Sequence, residues 1–473
     1  MRPTLIKFLR KAHRLILWLA LLAAGVFFLS AICHPLMVWT GPQPVKRMPP
    51  ALTINTQQLN QIQEQMSLIE LQGVSIAQIT PTENGAALQV TQQPSEPRLY
   101  FTGSSEAMND RKQAIWLARY YTGIDSPITS VTFIDNFSND YPAVNRLLPV
   151  YKVTFDTKEA LTAFVHTETN ALAGLTNNWK QLLKTLFQRL HTLNWLDNLP
   201  ITRLIIMSIL LALLSFMAIS GVYLLLSLKR KTYKNRQQRF HRSLAWMCVV
   251  PLLGFLISGF YHLYQQALSP SADSHRVFQA MDLSHFQSIA LPKDLQAQSM
   301  NALSLLTLNG QPAFRASLAQ PTLKKISKEK HFNGLPKETS AVYYSTDGKI
   351  LPLTDKDYAD QLLHQALGAN NVIVINQKKI SRFGNGYDFR NNRLPVWRFD
   401  LDSGDTIFID PRKALLVEHI TPSQKLEGRV FSLLHKWNFL KGVFGRFGRD
   451  ALLAVMMLLL ISLAFFGQRL SKT

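Results

Sequence analysis

Four stretches of the chain are apolar almost without interruption: residues 15–38, 204–226, 243–261 and 451–467. Each approaches the roughly 20 residues that an α-helix needs to cross a ~30 Å hydrocarbon core, so each predicts a transmembrane helix. None of the four contains an acidic residue. The two long segments between them, 40–200 and 266–449, are patterned differently. In the first, residues 110–121 place Ile115, Leu117, Tyr120 and Tyr121 near helical spacing, and 131–134, 150–155 and 160–166 alternate like half-buried strands. In the second, 357–367 predicts the helix, and 372–375, 396–401 and 406–409 the strands. Further strands are expected ahead of each helix, at 98–102 and 341–345. Residues 177–199 are amphipathic through Trp179, Leu183, Phe187, Leu190 and Trp195, which predicts a helix lying along a membrane interface ahead of the second span.

Charge orients these spans. Arg2, Lys7, Arg10, Lys11 and Arg14 precede the first. Lys229, Arg230, Lys231, Lys234, Arg236, Arg239 and Arg242 fill the short loop between the second and third, and Arg469 and Lys472 follow the fourth, with no acidic residue in any of these segments. By the positive-inside rule both termini are cytoplasmic and the two long segments lie outside. Most of the net charge of +21 is therefore a topological signal, and nucleic-acid binding is not needed to explain it. With 47% hydrophobic and 17% charged residues, the composition excludes a disordered or fibrous chain. The first apolar stretch exceeds a secretory h-region and no A-x-A site follows, so it reads as a retained helix. Two cysteines exclude a disulfide scaffold, a Cys-rich zinc module and a Cys-ligated iron–sulfur cluster. Cys33 and Cys248 fall at depths differing by roughly 20 Å, too far apart to bridge. The expected location is a bacterial inner membrane, with the bulk of the protein periplasmic.

The sequence also repeats itself. His13-Arg14, Trp18, Phe27, Ser30 and His34 recur as His241-Arg242, Trp246, Phe255, Ser258 and His262 at one constant offset. Asn145-Arg146-Leu147-Leu148-Pro149-Val150-Tyr151 recurs as Asn392-Arg393-Leu394-Pro395-Val396-Trp397, with one extra Leu in the first copy. Leu190-His191 and Asn194-Trp195-Leu196 recur as Leu434-His435 and Asn438-Phe439-Leu440. The expected architecture is a membrane α+β protein: four transmembrane helices in two tandem, parallel repeats, each carrying an extracytoplasmic helix-on-antiparallel-sheet domain. The domains are drawn at 40–176 and 266–430.

Each copy thus runs helix, strand, an N-R-L-P-V-[YW] strand start, and then a further strand and turn. This order resembles the PepSY domain, present twice. The H-R at the start of the spans and the second His near their far ends are similar to the PepSY-associated transmembrane family. That resemblance implies PepSY-like outer domains. It also implies kinship with membrane di-haem reductases acting on ferric siderophores.

The histidines are the candidate chemistry. In each copy His13/His34 and His241/His262 are separated by about 31 Å of helical rise, near the thickness of the hydrocarbon core, and lie within about 60° of one helix face. Spans one and three can present each pair across a pseudo-twofold axis, as two imidazoles facing one iron require. His13, His241, His34 and His262 are the expected ligands of two non-covalent b-type haems, since no C-x-x-C-H occurs. Arg14 and Arg242 are placed to hold propionates. His191 and His435 are candidates for an outer ligand or a substrate contact. The bland alternative is that a span-end histidine is an interfacial residue with its polar tip in water. Lys436, Lys441, Arg446 and Arg449 form a basic cluster suited to an anionic substrate, a propionate or lipid headgroups.

The expected function is electron transfer across the membrane to a periplasmic ferric chelate such as an iron-siderophore. No flavin or nicotinamide motif is present, so the donor is a separate quinol or cytoplasmic reductase. The competing expectation is a non-enzymatic PepSY module that binds a peptidase or other envelope protein, its spans serving as anchors among membrane lipid.

Overall fold

The computed structural model describes residues 2–67, 71, 73–103, 107–228, 235–268, 274–277, 281–284, 290, 292–320, 334–336, 338–368, 372–384 and 386–471. Lys229, Arg230, Lys231, Lys234 and Lys472 of the basic segments lie outside the described residues. The chain divides into two compact units, Met1–Gly41 with Trp179–Pro270 and Pro422–Thr473, and Pro42–Asn178 with Ser271–Thr421.

The first unit is a membrane unit. Among the described residues four helices are long and apolar enough to span: Thr4–Thr40, Pro200–Ser227, Arg236–Leu268 and Asn438–Gln468. Each runs past the apolar stretch that predicted it. The hydrocarbon core dictates only the apolar length, whereas a helix continues wherever its polar ends meet headgroups or water. The spans pack around Ala23, Phe27, Phe28, Leu214, Cys248, Phe255 and Leu460, while Trp18 and Trp246 remain about half exposed on the outside, as lipid-facing residues do. Both cysteines are free. Span one is not uniform. Gly25–Leu29 forms a π-helical turn, and Pro35, which has no N–H to give, sits in the helix that follows.

The amphipathic segment predicted as one helix at 177–199 is broken. It runs as Asn178–Leu186, a π turn at Phe187–His191, then Leu193 in the left-handed region at φ 50° leading a 3-10 turn at Asn194–Leu196. The segment ahead of span four has the same order: Pro422–Val430, a π turn at Phe431–His435, Trp437 at φ 49°, and Asn438–Leu440. The π turns widen the helix at one point and so re-aim the histidine that ends each of them.

The second unit carries the sheets. In chain order its strands are β1 (Ile76–Thr82), β2 (Gly85–Thr91), β3 (Leu99–Phe101), β4 (Ile128–Ile134), β5 (Val150–Phe155), β6 (Thr162–His166), β7 (Ala171–Thr176), β8 (His275–Arg276), β9 (Met300–Leu308), β10 (Gln311–Ala319), β11 (Glu338–Ser345), β12 (Val374–Ile380), β13 (Val396–Leu401), β14 (Thr406–Asp410) and β15 (Leu415–Ile420). Strands β4-β5-β6-β7 form one antiparallel meander beneath helix Asp110–Thr122. Strands β12-β13-β14-β15 form another, extended by β8, beneath helix Asp355–Leu367. Asn109 caps the first helix, and Thr354 with Asp357 makes a capping box on the second. These are the helix-on-sheet elements expected from the sequence.

The third sheet was not expected. Its order is β11-β10-β9-β1-β2-β3, so strands from the first long segment and from the second share one sheet. The joint is β1 against β9, with Gln78 opposite Ser304 and Ile79 opposite Leu303. Ile54, Leu59, Ile79 and Leu88 from one segment pack with Met300, Leu303 and Phe314 from the other in a single core. This sheet crosses the boundary drawn between 40–176 and 266–430.

Candidate functional site

At one end of the membrane unit the four spans enclose a cavity of about 250 Å³ lined by His13, Arg14, His241 and Arg242. Apart from Arg10 and Gln238, the rest of the lining is small or apolar. A Cβ added at Gly221 would meet the His13 ring at 3.8 Å, and one at Gly467 would meet the His241 ring at 3.2 Å. Glycine at these two points leaves room beside each imidazole.

The His13 ring is fixed in one tautomer by its neighbour. Ser220 Oγ spends its hydrogen on the Phe216 carbonyl at 2.6 Å. The 2.8 Å contact between Ser220 Oγ and His13 Nδ1 must therefore be donated by Nδ1–H. That leaves the Nε2 lone pair free. Arg242 donates to the Leu225 carbonyl at 2.9 Å, which holds its guanidinium at the end of span two.

The other end repeats this device twice. Ser30 Oγ donates to the carbonyls of Val26 and Phe27 inside the π turn of span one. His191 Nδ1 lies 3.1 Å from Ser30 Oγ and 3.2 Å from the Phe27 carbonyl oxygen, which can only accept. Ser258 Oγ donates to the Gly254 carbonyl at 2.7 Å and lies 3.2 Å from His435 Nδ1. Both imidazoles thus keep the proton on Nδ1 and an open Nε2. Their ring centroids are 6.3 Å apart at 76°.

His34 and His262 flank this pair, each through a phenylalanine. The His34 ring lies 6.0 Å from Phe187, which stacks on His191 at 4.7 Å. The His262 ring stacks on Phe431 at 4.2 Å, and Phe431 stacks on His435 at 4.5 Å. Six rings therefore follow one another: His34, Phe187, His191, His435, Phe431, His262. The two ends of this chain differ. His262 Nδ1 meets Glu427 Oε1 at 2.6 Å, whereas the helix that bears His34 carries Trp39 against Phe447, the residue after Arg446, at 5.1 Å.

The structure brings His13 together with His241, and His191 together with His435. It sets His34 and His262 at opposite ends of the ring chain. The serine partners were missed from sequence, although Ser30 and Ser258 stood in the repeated pattern. Among the described residues no three His, Cys, Asp or Glu side chains gather as metal ligands, so the membrane unit offers imidazoles in pairs.

The second unit buries a separate charged network. Arg276 Nη2 donates to both oxygens of Glu168 at 2.8 and 3.0 Å, and Arg98 Nη2 stands 3.6 Å from the same carboxylate. Lys413 reaches Gln78, which donates to the Glu168 carbonyl at 2.7 Å. Burial opposes the charge on Glu168, but Arg276 and then Arg98 outweigh it and hold the carboxyl well below its ordinary range. Burial also pushes His166 well below its usual value and lowers Lys413 to about 7.

The family described as PepSY-associated TM region matches residues 10–467 of this chain. No curated protein and no solved structure matches it.

Proposed function

The chain belongs to the PepSY-associated TM region family, and from the imidazole pairs at the two ends of its spans we propose that it is a di-haem b electron-transfer protein of a bacterial inner membrane. The observation that carries this reading is the serine device. Three histidines, His13, His191 and His435, each have Nδ1 committed to a serine hydroxyl and Nε2 left with a free lone pair. Ligating histidines are held this way, the second nitrogen fixing ring orientation and tautomer. A haem supplies four of its iron's six ligands and asks the protein for two, so pairs of imidazoles suffice.

His13 and His241 are the proposed ligands at the cytoplasmic end. Their cavity has apolar walls and carries Arg14 and Arg242 at its rim for propionates. At the periplasmic end the serine bonds favour His191 and His435, with His34 and His262 as the outer pair first expected from the spacing. The serine-held pair is level with Ser30 rather than His34. It therefore lies about 26 Å along the helix from His13 instead of about 31 Å. Phe27 and Phe28 are buried between the two levels and exclude water from the interval.

When bound, the two haems supply one-electron chemistry. The chain's own residues supply the rest. The serines fix the tautomer and orientation of the imidazoles, the apolar bundle keeps solvent from the path, and the basic segments of the two termini and the central loop fix the direction of insertion. Electrons would enter from a quinol or a cytoplasmic reductase and leave to a ferric chelate such as an iron-siderophore. The repeated serine–histidine bonds and the two helix-on-sheet meanders support a duplicated origin.

The test is an absorption spectrum of the detergent-purified protein, air-oxidised and then dithionite-reduced, with a haem-to-protein ratio. Two haems per chain with sharp low-spin reduced bands, reduced to one by His13→Ala and by His191→Ala, is the expected result. A colourless protein from cells supplied with ample haem refutes the proposal and leaves a membrane-anchored module binding an envelope partner.

A further inference from the structure

The two ends of the six-ring chain are chemically unequal, and the sequence shows where the inequality was introduced. Aligning Asn438-Phe439-Leu440 on Asn194-Trp195-Leu196 sets Lys436, Lys441, Arg446 and Arg449 opposite Thr192, Asp197, Thr202 and Ile205. One copy carries four cations where the other carries none and has an acid instead. The structure gathers them at the start of span four. Gly445, in an extended conformation at positive φ (64°, ψ −178°), breaks the helix between Lys441 and Arg446. Trp39 at the end of span one packs on Phe447 at 5.1 Å, which brings this broken turn beside the helix that bears His34. Arg449 is buried, donates to Asn438 Oδ1 at 2.6 Å and pairs with Asp450. The buried Asp450 carboxylate pairs with Arg449 and stands 3.9 Å from Arg446, so the cluster beside the helix that bears His34 holds four cations to one carboxylate. The corresponding ring of the other copy, His262, faces a carboxylate, Glu427.

We propose that this cluster is the docking site for an anionic, oxygen-rich ferric chelate, and that electrons leave the protein at the His34 end and not at the His262 end. This rests on the electron-transfer reading above and names its substrate class. The chelate's negative charge is attracted by Lys436, Lys441 and Arg446, while at the other end Glu427 repels it. The step is a one-electron transfer: the reduced protein loses one electron, Fe(III) in the chelate becomes Fe(II), and no bond to the protein forms or breaks.

The test uses the full chain in zwitterionic phosphatidylcholine nanodiscs. Binding is read by calorimetry with gallium(III) citrate, which is anionic and redox-inert, and with the neutral gallium tris-acetohydroxamate. Reoxidation of the dithionite-reduced protein is followed with ferric EDTA, an anion, and with the neutral ferric tris-acetohydroxamate. In K436Q/K441Q/R446Q, gallium citrate binding and reoxidation by ferric EDTA should each fall about tenfold and lose their salt dependence, whereas the neutral chelates stay within about twofold. Lys441→Gln alone, at an exposed position, should give about a two- to threefold loss by the same Coulomb argument, and Arg203→Gln in the other copy none.

Equal losses for anionic and neutral chelates overturn the proposal. If phosphatidylglycerol added to the nanodiscs abolishes the charge preference of the wild-type protein, the cluster seats lipid headgroups and the proposal fails. A triple variant that loses haem or shifts its midpoint potential, with no charge-selective change, assigns the cluster to propionates and also refutes it. A colourless wild-type protein marks failure of the electron-transfer reading instead, and the gallium citrate isotherm then decides the anion site on its own.

Discussion

Replacing Arg276 by methionine isolates one buried ion pair that ties the two long segments together. Arg276 lies in β8 and reaches Glu168, which belongs to the turn after β6, with two hydrogen bonds of 2.8 and 3.0 Å. Glu168 is 2% exposed. In R276M the carboxylate stays buried and retains only the looser Arg98 contact at 3.6 Å. Breaking a buried, hydrogen-bonded ion pair by removing one partner costs about 3–5 kcal/mol. Arg98 and the nearby Lys413 soften the loss, so the expected value is the lower end, about 3 kcal/mol. At roughly 1.5–2 °C per kcal/mol for a unit of this size, the unfolding midpoint of the protein in detergent should fall by about 5 °C at neutral pH. The double variant R276M/E168L removes the buried carboxylate together with its main partner and should recover part of that loss, the remainder being the cost of leaving Arg98 and Lys413 without the anion they face. A midpoint for R276M within 1 °C of wild type, or a double variant no more stable than the single one, would refute the assignment of Glu168 as a buried anion held by Arg276.

Lys413 predicts a pH dependence of opposite hand to that of a surface lysine. Its folded pKa of about 7 lies below the unfolded lysine value, so between pH 7 and about 10 the unfolded chain holds more protons. Stability should therefore rise with pH across that window by up to about 1.4 kcal/mol per unit from this group, and Lys413→Met should flatten the rise in pH-resolved thermal scans. Gly310 has φ 80° in the Asn309-Gly310 hairpin turn, and a Cβ there meets no neighbouring atom. Gly310→Ala should thus cost about 1 kcal/mol through backbone conformation alone, measurable as a small midpoint drop with no change in activity. Ser220→Ala and Ser258→Ala remove the acceptor for the Nδ1–H of His13 and His435. Each should lower the low-spin fraction of the corresponding haem in the reduced spectrum, and Ser220→Thr should restore it; unchanged spectra would show that the serines do not orient ligands.

The four spans were legible because the hydrocarbon core imposes a length that one sequence reveals unaided. The strands β5 and β13 were legible for a similar local reason, their alternation and their shared N-R-L-P-V starts. The pairing of His13 with Ser220 was not, because 207 residues separate them and an apolar run does not disclose which of its serines faces inward. The facing of His191 and His435 was hidden by the π turns that re-aim them. A break at Leu193 contradicts the continuous amphipathic helix that Trp179, Phe187 and Leu190 suggested over 177–199. Two hairpins went unread despite a usable signal. Asn84-Gly85 and Asn309-Gly310 stand at the turns β1–β2 and β9–β10, and the second has both residues at positive φ, as a tight hairpin turn requires. The pairing of those hairpins with each other lay beyond any local signal, since nothing near Gln78 specifies Ser304.

That shared sheet has a consequence for the order in which the protein can be made. Every residue of β1 is buried, and its second edge is closed by β9, a strand translated more than 200 residues later. During synthesis the first outer segment must wait with β1 uncovered on one side while spans two and three are made and inserted. An uncovered apolar edge is a template for pairing with any other chain. A first half made on its own is accordingly expected to self-associate through that edge, and the sooner β9 and β10 form after they are translated, the sooner the edge is closed. The Asn309-Gly310 turn, which lets that later hairpin form from neighbouring residues alone, favours such early closure.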